Sequence, residues 1–315
     1  MTHSKLCFLT LTTAILAGCS GGTPGEVPVK IEVVDKIEVV DRAAADIGDL
    51  KSDGASITSF QTPRGYKQGD KLIAYEGPGW ESDKTAFRIY LDGRNALDIF
   101  GKKTPEMVLK TVGRGEDYHE MADWGMDILK VGNSLGAGGF GVFDGGEVRQ
   151  IGNAQSYKVD VVQDDNNAAT VRVTHVGSRA CKGTVAANYS IDAGSRLSRV
   201  TVDGNCALPF AAGLIIHPGT TSHQSDGSGA WQYKARYGAQ SLVPDNLGLA
   251  IFYKSSDIQE ASADEDDDYV VFKPRIAPDY FTSAAWAQEP GGITTEAEFK
   301  AWLEETRTKL NATAP

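Results

Sequence analysis

Val185-Ala186-Ala187-Asn188-Tyr189-Ser190-Ile191, then Asp192-Ala193-Gly194-Ser195, then Arg196-Leu197-Ser198-Arg199-Val200-Thr201-Val202 reads as two strands joined by a tight turn. If 183–191 pair with 196–204, opposed positions sum to 387, and so do 181 and 206. Cys181 and Cys206 are therefore expected to face each other across an antiparallel pair, within disulfide reach. Working outward, strand-type runs recur from Lys71–Tyr75 to Phe272, at 85–91, 125–131, 157–162, 169–176, 197–203, 210–217, 230–237, 248–254 and 269–272. No βαβ unit or helical pattern intervenes, so the expected fold is all-β, an antiparallel two-sheet sandwich. One helix is expected at the C-terminus, where Thr295 and Glu298 form a capping-box pattern and Phe299, Trp302, Leu303, Thr306 and Leu310 recur at helical spacing.

The chain of 315 residues is 41% hydrophobic, which excludes whole-chain disorder. Its 42 acidic against 31 basic residues give a formal charge of -11, which disfavours nucleic acid as a partner. Residues 1–19 combine Lys5, a short apolar run and Leu16-Ala17-Gly18-Cys19, an export signal ending in what resembles a bacterial lipobox. Cys19 is thus the expected lipidation site and membrane anchor, and Ser20 after it points to the outer membrane of a Gram-negative bacterium. Residues 20–65 read as a tether and N-terminal edge segment containing two copies of Lys-Ile-Glu-Val-Val-Asp at 30–41, and 66–315 as the β-sandwich domain.

Three stretches could carry chemistry. Read with period two, Phe87, Ile89 and Leu91 face a core while Lys84, Ala86, Arg88, Tyr90 and Asp92 face outward, beside Trp80, as a ligand-binding sheet face would. Residues 117–132 pack His119 among Tyr118, Trp124, Lys130 and the carboxylates of Asp117, Glu120, Asp123 and Asp127, and His119 is the best single acid–base candidate. Gly136–Gly141 matches G-x-G-x-x-G, but a strand-like Val142-Phe143-Asp144 follows where a nucleotide site needs a helix, so close backbone approach to a ligand or a tight bend is the expected use. His217 shares a face with Ala211, Gly213 and Ile215 and is a second site candidate; His175 reads as a satisfied core residue and His223 as solvated. The acidic run Asp264–Asp268 reads as a solvated turn. No metal-ligand spacing or cofactor motif is present, and the oligomeric state is left open.

Trp80-Glu81-x-Asp83-Lys84-x-Ala86-Phe87-Arg88-x-Tyr90 and Tyr118-His119-(seven residues)-Asp127-x-x-x-Val131-Gly132-x-x-x-Gly136-x-Gly138-Gly139 resemble the motifs of an uncharacterised bacterial family. Its members are encoded beside lyases and glycosidases of pectin-like uronate polymers. The likeness spans roughly residues 70–220, with Ser82 where the family has asparagine. It implies a galactose-mutarotase-like supersandwich and an acidic oligosaccharide as substrate. In an elimination, Arg88 would neutralise the substrate carboxylate, His119 remove the proton, and Tyr118 or Tyr90 protonate the leaving oxygen, with Trp80, Lys84, Tyr90, Asp92, Trp124 and Lys130 binding sugar. Hydrolysis would draw on Glu120, Asp123 and Asp127, and a mutarotase or epimerase on His119 and His217 with Asp127 orienting one of them. A non-catalytic glycan-binding lipoprotein would instead use Trp80, Trp124 and Trp231 as stacking platforms.

Overall fold

The computed structural model describes residues 42–48, 57–67, 69–115, 117–204 and 206–313. The expected export signal, the expected lipidation site Cys19 and the tandem repeats lie outside them. The described residues form an all-β sandwich with one C-terminal helix. One five-stranded sheet runs in the order β1 (Ala43–Asp46), β3 (Gly79–Ser82), β4 (Ala86–Ile89), β5 (Leu97–Lys102), β6 (Gly125–Asp127). A second runs β17 (Ile258–Ala263), β18 (Asp267–Phe272), β13 (Phe210–Ile215), β7 (Ala137–Asp144), β8 (Glu147–Arg149). A parallel bridge between Leu97 of β5 and Gly136, just before β7, links these two.

The opposing nine-stranded sheet runs β14 (Thr221–Gln224), β15 (Trp231–Ala239), β16 (Asn246–Lys254), β19 (Asp279–Trp286), β12 (Leu197–Gly204), β11 (Gly183–Asp192), β10 (Ala168–Ser178), β9 (Ser156–Asp164), β2 (Ser59–Gln61). Every strand pair is antiparallel. The core lies between the layers: Trp80 stacks on Tyr189 at 4.7 Å and its indole N–H donates to Ser198 Oγ at 2.7 Å, while Tyr280 OH donates to Gly138 O at 2.9 Å.

The β11–β12 hairpin pairs Ile191 with Ser198 and Val185 with Gly204, two residues away from the expected register. The reach from Asp192 to Leu197 is longer than a four-residue turn because Gly194 N donates to Asp83 Oδ1 at 2.6 Å and Ser82 Oγ to Ser195 O at 2.6 Å, which hold the tip against the other layer. Cys181 and Cys206 nonetheless form a disulfide, Cα–Cα 4.3 Å, because both lie beyond the paired segments, where the chain is no longer held to the ladder. The bond closes a loop with a sequence separation of 25. Replacing both cysteines by serine should therefore cost about 3 kcal/mol, read as a lower urea midpoint at unchanged slope.

Gly138, at φ 95°, meets Thr282 of the opposite sheet, and Gly139 and Gly141 sit in the β7–β13 ladder. Gly138 thus serves approach between the layers, and Gly139 and Gly141 close approach of neighbouring backbone, Leu135 O and Arg149 O respectively. α1 (Glu296–Thr313) is capped reciprocally, Glu298 N donating to Thr295 Oγ1 at 3.2 Å and Thr295 N to Glu298 Oε2 at 3.0 Å. Its Phe299 stacks on Tyr237 at 5.1 Å and Trp231 is buried in the same cluster, so Trp231 is no sugar platform. His223 is not solvated either: its side chain is 11% exposed and Nε2 lies 3.0 Å from Glu296 Oε1 in the first helical turn. The acidic run is only half a solvated turn, since Asp267 accepts from Leu135 N at 3.0 Å and Asp268 is buried beside Lys234 and Arg236.

His175 is buried between Tyr157 and Phe140, and among the described residues neither ring nitrogen has a hydrogen-bond partner. It is a core residue, but not a satisfied one. Burial pushes its imidazole down to about 4, so it folds neutral. A folded value below the unfolded one means that this share of stability is complete above pH 6.5 and is lost as pH falls through about 4, roughly 3 kcal/mol in all. His175→Phe should remove that part of the acid limb in a denaturation series run between these limits.

Candidate functional site

On β4, Arg88 stands directly across the ladder from Asp98 of β5, and Asp127 lies one strand further on. The alternation that places Ala86, Arg88 and Tyr90 opposite Phe87 and Ile89 is present, but that second face is not open to solvent. The connection between β5 and β6 folds over it. Glu81 fastens that connection, accepting from Val108 N and Leu109 N at 2.9 and 2.8 Å while pairing with Lys102 Nζ at 2.7 Å, both side chains fully buried. Tyr75, Phe100, Val108, Leu109 and Val112 then pack as a second small core.

Arg88 is consequently 1% exposed. Nε and Nη2 donate to Asp98 Oδ2 at 3.0 and 2.6 Å, Nη2 also to Asp127 Oδ2 at 2.6 Å, and Nη1 to Tyr75 O and Tyr118 OH at 2.8 and 3.3 Å. Tyr90 OH contacts the guanidinium and donates to Asp98 Oδ2 at 2.8 Å. With every N–H engaged, Arg88 has nothing left to neutralise a substrate carboxylate, and Tyr90 has no free hydroxyl to protonate a leaving group. One guanidinium serves two carboxylates. Burial, aided by the charge of Asp98 and opposed by Arg88, pushes the Asp127 carboxyl up to about 8, so it keeps its proton through neutral pH.

The rim of this cluster is Tyr118–His119. Asp127 N donates to Tyr118 O at 2.8 Å and the Tyr118 ring meets Phe100 edge-on at 5.9 Å, so the segment is tied to β6. His119 itself remains 55% exposed, with its ring 4.2 Å from that of Tyr118. Asp117 Oδ1 accepts from His119 N at 2.9 Å and lies 3.0 Å from Nδ1. Assigning the proton to Nδ1, which the carboxylate requires, leaves Nε2 as a bare lone pair 3.6 Å from Asp127 Oδ2. Bonds from the His119 backbone and ring hold Asp117 below its ordinary range.

The remaining sequence candidates are scattered. Trp80 is fully buried in the core and offers no stacking face. Lys84 pairs with Asp83 at 2.8 Å and Asp92 with Arg94 at 2.6 Å, off the two ends of β4. Trp124 is half-buried against Phe100 at 6.1 Å. His217 Nε2 lies 2.9 Å from Lys130 O, which commits that nitrogen to the main chain. Lys130 is exposed and has no acidic partner among the described residues. Asp98, Tyr75 and the orienting role of Asp117 escaped the sequence reading. A lone carboxylate inside the apolar run Ala96–Phe100 was the available signal for Asp98, because such a charge needs a buried partner.

Among the described residues no group of three or more His, Cys, Asp or Glu is placed to hold a metal ion, and no helix is long and apolar enough to cross a membrane. Residues 25–314 match the model of one family, a domain of unknown function (DUF4861). No curated protein and no solved structure matches the chain.

Proposed function

Because the chain belongs to the DUF4861 family, whose description carries no reaction, its chemistry has to come from the site, and we propose an exported, lipid-anchored enzyme that cleaves a uronate-containing oligosaccharide by elimination. The observation that carries this is the exposed imidazole whose Nδ1 is held by Asp117 while Nε2 stands 3.6 Å from a buried, proton-holding Asp127. His119 Nε2 takes the proton from the carbon beside the uronate carboxylate. That electron pair forms the new carbon–carbon double bond, the glycosidic carbon–oxygen bond breaks, and the leaving oxygen gains a proton. Tyr118, whose ring lies 4.2 Å from that of His119 at a tilt of 35°, is the phenol at hand for that last transfer, and exposed Lys130 replaces Arg88 as the cation for the carboxylate.

Elimination is favoured over hydrolysis because the two close carboxylates, Asp98 and Asp127, are both clamped on Arg88 and buried, whereas Glu120 and Asp123 are exposed. The Cys181–Cys206 disulfide suits an oxidising compartment, in line with export through the Cys19 signal. Incubating the protein with pectic, ulvan and alginate oligosaccharides tests the reading. Ultraviolet absorbance of an unsaturated uronate supports it, and saturated products in the mass spectrum, or no cleavage at all, reject it.

A further inference from the structure

The loops at one end of the sandwich enclose a concavity of about 970 Å³ that touches neither His119 nor Asp127. Its walls carry Lys67, Arg94, Arg149 and Arg179 against Asp92 and Asp144. Arg94 is held by Asp92 through Nε and Nη2 at 2.9 and 2.6 Å, and Arg149 by Asp144 at 3.0 Å, with Glu147 at 3.7 Å. The side chains of Lys67 and Arg179 are exposed and have no acidic partner among the described residues. Two unneutralised cations at one hollow are out of keeping with a chain of net charge -11, whose surface charge is mostly negative. The loops that form its wall pack on one another: Gly152 at φ 76° brings its loop against Arg179, and Gly93 has no room for a Cβ because Asn153 lies against it. Its volume sits at the upper end of ordinary ligand pockets, which reach about 1,000 Å³, larger than one sugar ring needs.

We infer that this hollow binds the acidic groups of an oligosaccharide, with Lys67 and Arg179 as the receiving cations. The inference rests on the substrate class proposed above and extends it: the chain would hold several acidic units of its ligand, not only the one at His119. Arg94 links the two regions, since its guanidinium stacks on the Tyr90 ring at 3.8 Å and Tyr90 OH belongs to the Arg88 cluster. Carboxylate and sulfate esters are both accepted by such cations, so the ligand is defined here as an anionic oligosaccharide.

Calorimetric titration of full-length His119→Ala protein, which keeps the hollow and removes the proposed base, is the test. Tetragalacturonate, a sulfated galactan tetrasaccharide and neutral cellotetraose are the probes. At least one anionic probe should bind, more weakly as salt rises, while cellotetraose does not, and Lys67→Ala with Arg179→Ala should weaken that binding by about tenfold or more. Tighter binding of the sulfated probe would name sulfate as the anion, and of the uronate, carboxylate. Unchanged affinity in the double variant, equal binding of cellotetraose, or no binding of either anionic probe overturns the inference. Both cations are exposed and without an acidic partner among the described residues, so a melting temperature equal to that of the parent verifies that the fold is kept. Cleavage by wild-type protein is scored separately, so a failed hollow leaves the His119 reading standing, and lost cleavage leaves measured binding standing.

Discussion

Arg88→Met is expected to lower the unfolding free energy by about 3–5 kcal/mol, because the side chain that goes is the cation that Asp98 and Asp127 share while both carboxyls stay buried. The loss should depend on pH with a definite sign. Without the guanidinium, which opposes the effect of burial, the Asp127 carboxyl is held still further above its ordinary range, so the folded state binds a proton that the unfolded chain releases and the variant regains stability as pH falls. Combining Arg88→Met with Asp98→Asn and Asp127→Asn removes the charges altogether and should recover most of the deficit even at neutral pH. Urea midpoints across a pH series measure all of this. An Arg88→Met midpoint within error of wild type would mean that the guanidinium does not hold the two buried carboxyl groups together as described.

His119→Ala is expected to lower turnover of an acidic oligosaccharide by about 10²–10⁴-fold, the usual worth of a positioned proton-transfer group. Stability should change by no more than about 0.5 kcal/mol, since the side chain is half exposed and packs on little besides Tyr118. Asp127 adds a signature in pH. Its carboxyl ionises only near 8, and above that value a negative charge 3.6 Å from Nε2 stabilises the positive charge that develops as the ring takes the substrate proton, so kcat/KM should climb as pH passes through about 8. Asp127→Asn should flatten that rise and leave the fold intact at neutral pH, where the native carboxyl is already uncharged. Full activity in His119→Ala would remove the imidazole from the chemistry.

The β class, the C-terminal helix and most central strands were legible because each depends on local pattern: turn residues between alternating runs, or a capping box before a helical stripe. Three kinds of feature were not. Arg88 and Tyr90 read as an open, ligand-binding face because period-two alternation reports which residues share a side, not what later covers it; the cover comes from residues more than ten positions downstream and is pinned by Glu81. Only the Val142-Phe143-Asp144 end of β7 read as a strand because glycine has low strand propensity, yet Gly138 is required where two sheets meet. The hairpin register shifted by two because its tip is set by contacts with Asp83 and Ser82, more than a hundred residues away in the chain. His119 could be found as a histidine crowded by carboxylates, but which carboxylate orients it and which stores a proton is a matter of depth, and depth has no local signature.

The shared guanidinium has an evolutionary corollary. Two acids that depend on one base are not free to drift singly: a lineage that lost the cation at 88 would carry an anion load it could discharge only by changing 98 and 127 too. Across natural relatives these three positions should be inherited as a block, all ionic or all apolar, with intermediate combinations nearly absent.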